Sequence, residues 1–246
     1  MPIVRILLVL LALASPALAQ NGARDAAAAS EAAQAFQVYV DGVTKRGGRP
    51  DLTRPDVAAM LVRVFDLGAL NALPPAQASD RDWLVEWHEA ANATHESILY
   101  YGAKPGPQPD REAIRRNMTE YEDQYATAIN FLIRFNAREA VSTKMLMAGL
   151  APEERTRLVD EAFAATRRNS PLMILGFISS VQGSKPANAR LVAAAIRDTR
   201  EVWASHFLPR DRARVISVLP DFARRMPDET ARTDLAVFMA ALQAVN

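Results

Sequence analysis

The stretch IRRNMTEYEDQYATAINFLIRF, residues 114–135, decides the fold. Its apolar positions Ile114, Met118, Tyr121, Tyr125, Ala128, Leu132 and Phe135 advance by four and three. That is the spacing of one face of an α-helix, and it predicts a single long helix with a bundle-type seam. A strand would alternate every second residue, and no such alternation of useful length occurs in the chain.

Working towards the N-terminus, Lys104-Pro105-Gly106-Pro107-Gln108-Pro109-Asp110 reads as a loop, because its prolines remove backbone donors. Before it, Ser79-Asp80-Arg81-Asp82 reads as the cap of a helix running to about Tyr101. Thr53-Arg54-Pro55-Asp56 reads as another start, with Thr53 as N-cap and Asp56 closing a capping box. Val57, Met60, Leu61 and Val64 form its stripe, and Gly68 is its expected stop. Ala26, Ala29, Ala33, Phe36, Val40 and Val43 mark a first helix ended by Gly47-Gly48. These four helices predict an antiparallel bundle over residues 20–150.

Residues 1–19 read as a cleaved signal peptide. Arg5 precedes the apolar run Ile6–Ala14, Ser15-Pro16 breaks it, and Ala17-Leu18-Ala19 supplies small residues for cleavage. There is no twin arginine, so a Sec-type route is expected. There is no cysteine to carry a lipid, so the protein is not expected to be a lipoprotein. Past the signal no apolar run is long enough to cross a bilayer.

Residues 151–246 are cut by Pro152, Pro171, Pro186, Pro209, Pro220 and Pro227 into segments of about 152–168, 171–183, 187–207, 210–226 and 229–244. No residue pattern repeats at a fixed period, which favours an irregular array of shorter helices over a solenoid. The fold class is therefore all-α, a bundle continuing into that array, with both parts packed as one globular unit.

Composition narrows the function classes. Hydrophobic residues make up 50% of the chain, and 29 Lys+Arg meet 28 Asp+Glu, which excludes a disordered polyelectrolyte. With that balance and no recognisable module, nucleic acid is not an expected partner. Cysteine nucleophiles, thiolate metal sites and disulfides are absent by composition. Export without cysteine, many alanines and only four lysines (Lys45, Lys104, Lys144, Lys185) fit a bacterial periplasmic or secreted protein.

The residues with most chemistry lie in WLVEWHEAANATHESILYY, residues 83–101. On a helix, His88, Glu89, Asn92, His95 and Glu96 share an arc of about 120°, opposite the apolar stripe Trp83, Trp87, Ala91, Thr94, Ile98 and Tyr101. His88 and His95 stand about 10.5 Å apart along the axis, too far for one ion by themselves. Helical histidine pairs hold zinc at i, i+4, where Asn92 stands. A divalent metal would need carboxylates from Glu120, Glu122 or Asp123 to join His88, Glu89, His95 and Glu96. The bland reading of the arc is a solvated face. His206 reads as a structural histidine at a helix C-terminus, where the dipole favours a cation. Ser170, Ser179, Ser180 and Ser217 lie in no hydrolase motif, and Gly47-Gly48 opens no phosphate loop. Pro171–Val181 reads as a buried helix of the second part, or else as a contact surface served by Arg155, Arg157, Arg167 and Arg168.

No catalytic site is assigned. The expectation is an exported helical protein that acts by binding in the cell envelope, its partner an envelope protein or a small apolar ligand held between aromatic stripes. The alternative is a metal-binding protein or metal-dependent enzyme using the His/Glu face.

Overall fold

The computed structural model describes residues 19–103, 110–151 and 154–245. Residues 1–18 of the expected signal peptide and the Lys104–Pro109 part of the loop lie outside the described residues. The protein is all-α, and no strand occurs among the described residues. Its helices are α1 (Ala19–Lys45), α2 (Pro55–Val64), α3 (Leu67–Ala72), α4 (Arg81–Leu99), α5 (Arg111–Glu120), α6 (Glu122–Gly149), α7 (Arg157–Ser180), α8 (Pro186–Asp198), α9 (Arg200–His206), α10 (Pro209–Arg224) and α11 (Glu229–Ala244).

The architecture is organised by α6. Ala128, Phe131, Leu132 and Phe135 face a first core with Phe36, Val57, Leu61, Phe65 and Trp87. Ala126, Ile129, Ile133, Ala137 and Ala140 face a second core with Ile174, Ile178, Val192, Trp203 and Phe238. The quoted seam is thus divided between the two cores: Tyr121, Ala128, Leu132 and Phe135 join the first, while Tyr125 joins the second and Met118 packs against it.

Antiparallel packing holds for α4 against α6, where His95 meets Tyr125 at one end and Asp80 meets Arg138 at the other. It does not hold for α1 against α4. Gly22 lies on Trp83 and Gln37 accepts from Ser97, so these two helices run parallel. The physical reason is the connection, in which α2 and α3 form a return limb that carries the chain back to the start of α1.

Several helix boundaries differ from the sequence expectation. The helix read across residues 114–135 breaks at Tyr121 (φ −109°, ψ 32°). There Asn117 Nδ2 donates to Leu99 O at 2.9 Å and Tyr101 O at 2.8 Å, tying α5 to the end of α4, while Tyr121 Oη donates to Pro50 O at 3.0 Å. Segment 187–207 breaks at Thr199, whose hydroxyl donates to Ala195 O at 2.7 Å and accepts from Trp203 Nε1 at 2.9 Å. Conversely, α7 runs through Pro171, whereas α10 spans Pro220 as the expected segment 210–226 does. A proline removes one backbone bond and strains the turn before it, whereas breaking α7 would expose Ile174 and Ile178 just beyond. Ser170 turns its hydroxyl back to Thr166 O at 2.9 Å and caps nothing.

Among the described residues no helix is long and apolar enough to cross a membrane.

Candidate functional site

The chain makes a corner between α2 and α3, and the corner leaves a groove. Phe65 N donates to Leu61 O and closes α2 at Val64. Val64 O then accepts from Trp87 Nε1 at 2.8 Å, so α4 holds the end of α2. Asp66 starts α3 by accepting from Ala69 N at 2.8 Å through Oδ1. Gly68, read from the sequence as the stop of α2, is instead the second residue of α3. A Cβ there would lie 3.2 Å from Asp66 Oδ1, so the glycine makes room for the capping carboxylate. Thr53 is not the cap of α2 either. Its amide and hydroxyl donate to Asp51 Oδ1 at 2.9 and 2.6 Å, and Asp56 pairs with Arg54 at 2.5 Å.

Between this corner and the first turns of α6 lies a cavity of about 380 Å³. Leu52, Leu61 and Phe65 are buried residues that line it; Ala58, Val62 and Leu67 complete its apolar wall. Asp66, Asp123, Gln124 and Thr127 supply the polar lining. Val62 stays 66% exposed, although it is a large aliphatic residue. Behind the wall Phe65 meets Phe131 edge-on at 5.8 Å, and Phe131 meets Trp87 at 5.5 Å, so the groove backs onto rigid aromatic packing.

The residues singled out on α4 do not converge. His88 Nδ1 lies 2.7 Å from Glu139 Oε2, a partner on α6 that the sequence did not suggest. Burial disfavours the imidazolium, but the hydrogen bond and charge of Glu139, with Glu89, prevail and raise the His88 pKa above its ordinary value. Burial likewise opposes the Glu139 carboxylate, yet His88 and Arg81 hold its pKa below the usual range. His95 has a different neighbourhood. Its ring stacks on Tyr125 at 5.1 Å and stands edge-on to Phe177 at 6.5 Å, and burial pushes its pKa down to about 4. Glu89 and Glu96 remain exposed. The two histidines are therefore packed between helices, and the expectation of a solvated arc holds only for the glutamates.

The acidic turn also has other partners. Glu120 pairs with Arg49 at 2.7 Å. Glu122 accepts from the backbone amide of Lys185 at the start of α8, and Asp123 pairs with Lys185 Nζ at 2.9 Å. Asn188 donates to both carboxylates, at 3.1 and 2.8 Å. These contacts fix α8 against α6. Among the described residues no group of three or more His, Asp or Glu side chains is placed to hold a metal ion.

His206 sits in the last turn of α9, but it is not the cation that the helix dipole suggested. Burial, then Arg167 and Lys144, push its pKa down to about 4, because a second charge there would be both desolvated and repelled. Its ring lies edge-on to Trp203 at 6.0 Å and Phe163 at 6.5 Å. Pro171–Val181 is mostly core, with Ile174, Ile178 and Val181 buried and Leu172 half exposed.

An apolar ligand between the aromatic stripes is not accommodated, because those rings are packed together. The groove lies at the α2–α3 corner, where the signal was Asp66 directly before Leu67-Gly68-Ala69: a cap followed by a small residue. No known protein family, curated protein or solved structure matches this chain.

Proposed function

We propose that this is an exported bacterial protein of the cell envelope that acts by binding, and that it holds a small apolar molecule in the groove between α2, α3 and α6. The signal-like residues 1–19 support export. The observation that carries the binding reading is the concave, mainly aliphatic lining of a cavity of about 380 Å³, within the range of small-molecule sites. Such a surface left in water forfeits about 25 cal/mol for each Å² that a ligand could cover. It is also preformed, because Trp87 and Asp66 fix the two helix ends that shape it.

The test uses N-phenyl-1-naphthylamine, a neutral apolar fluorophore, with protein comprising residues 20–246. Saturable binding at one site per chain is expected, weakened at least about tenfold in Ala58→Phe, which grows a ring into the groove. Equal binding by wild type and variant, with the variant's circular dichroism and melt unchanged, would overturn the reading.

A further inference from the structure

The groove's apolar wall leaves open which ligands it prefers, and its charges decide that. Among the described residues no lysine, arginine or histidine lines it, while two carboxylates do, Asp66 and Asp123. Asp123 is already answered by Lys185 Nζ at 2.9 Å and by Asn188 at 2.8 Å. Asp66 is not. Its Oδ1 accepts a backbone amide, and among the described residues it forms no ion pair. A second carboxylate reinforces it from α1, since burial and then the Asp66 charge raise the Asp25 pKa above its ordinary value, with Arg24 the opposing influence. At the α3 end, therefore, an apolar wall meets a carboxylate that has no ion-pair partner among the described residues. A neutral ligand would leave that charge facing water or the ligand's tail, and an anionic one would be repelled.

Resting on the binding role proposed above, we infer that the ligand is a cationic amphiphile, whose aliphatic part covers Leu61, Val62, Phe65 and Leu67 while its ammonium group meets the Asp66 carboxylate. An ammonium opposite a half-buried carboxylate gains Coulomb energy that an alcohol lacks, and the gain is screened by salt.

Isothermal titration of the 20–246 protein with n-octylamine, n-octanol and sodium octanoate at pH 7 tests this. The expected order is octylammonium about tenfold tighter than octanol, with octanoate weakest, and a gap that narrows as salt rises. Asp66→Asn removes the charge but keeps a capping oxygen for Ala69 N, so the variant should fold. It should bind octylammonium no better than it binds octanol. Octanol binding as tightly as octylammonium would overturn the cationic preference and leave the groove reading standing. So would a preference that survives Asp66→Asn. Binding of none of the three probes, or octanol binding undiminished in Ala58→Phe, would overturn the groove reading itself and the inference with it.

Discussion

The two faces of α6 meet different neighbours. The first carries Phe131, Leu132 and Phe135 against Trp87 and Phe65, and its large rings interlock around a chain corner that leaves a groove. The second carries Ala126, Ile129, Ile133, Ala137 and Ala140, small and aliphatic residues, and α8 lies along it. Polar ties cross that second half. Arg197 bridges to the buried Asp234 at 2.9 Å, and the buried guanidinium of Arg212 donates to Phe207 O at 3.0 Å. One helix thus supports a groove on one side and a tied array on the other. The lesson is that ring packing fixes shape without filling space to the edge.

The largest expected effect tests the aromatic side. Trp87→Ala removes a fully buried ring and leaves Val64 O without its donor, which costs about 3–5 kcal/mol. In urea melts the midpoint should fall accordingly, and any groove ligand should lose affinity with it. An effect below about 1 kcal/mol would contradict the role given to the ring.

Acid should act next, through histidines associated with α7. His95 meets Phe177 and His206 meets Phe163, both with pKa pushed down to about 4 from an ordinary 6.5. The folded values lie below the unfolded ones, so the unfolded chain takes up protons first and stability falls as pH drops from 6.5 towards 4. Each histidine contributes at most about 3 kcal/mol over that window. His88 has the opposite sign: its raised value adds stability below 6.5 that is lost as pH rises through its folded pKa. Glu139, held low, adds stability above its ordinary value and loses it in acid. Thermal melts from pH 7.5 to 4.5 should show net acid loss, with a shallower slope in His206→Leu; an unchanged slope in that variant would refute the assignment.

A smaller effect is expected where α1 meets α4. A Cβ on Gly22 would lie 2.6 Å from the Trp83 ring, which Arg138 covers from another direction at 5.6 Å. Gly22→Ala should therefore destabilise by about 1–3 kcal/mol, although alanine is the better helix former. A neutral or stabilising result would mean that the parallel α1–α4 contact yields easily. The smallest effect is at the corner, where Asp66→Ala should cost about 1 kcal/mol by losing the α3 cap and Asp66→Asn only a few tenths.

Much of this architecture is legible in the sequence, and what is not has a common cause. The stripe Trp83, Trp87, Ala91, Thr94 and Ile98 is buried as its spacing implies, because periodicity reports which side of a helix leaves water. Periodicity does not say what lies opposite. His88 finds Glu139 across 51 positions, and nothing in either neighbourhood marks the pairing. Proline at 171 does not end the helix for a related reason: its local penalty is outweighed by the burial of Ile174 and Ile178 beyond it, which is a tertiary quantity. Gly68 misled because glycine suits a helix stop and also suits a crowded N-terminal turn, and only the Asp66 carboxylate distinguishes the two.

The most direct test of the account is to map where an apolar molecule touches the protein. In amide NMR spectra of the 20–246 protein, titrated octanol should saturably shift resonances from residues 52–68 and 123–127 and spare those of α7 and α11. Shifts centred on His88 and Glu139, on α7, or scattered without saturation would contradict it.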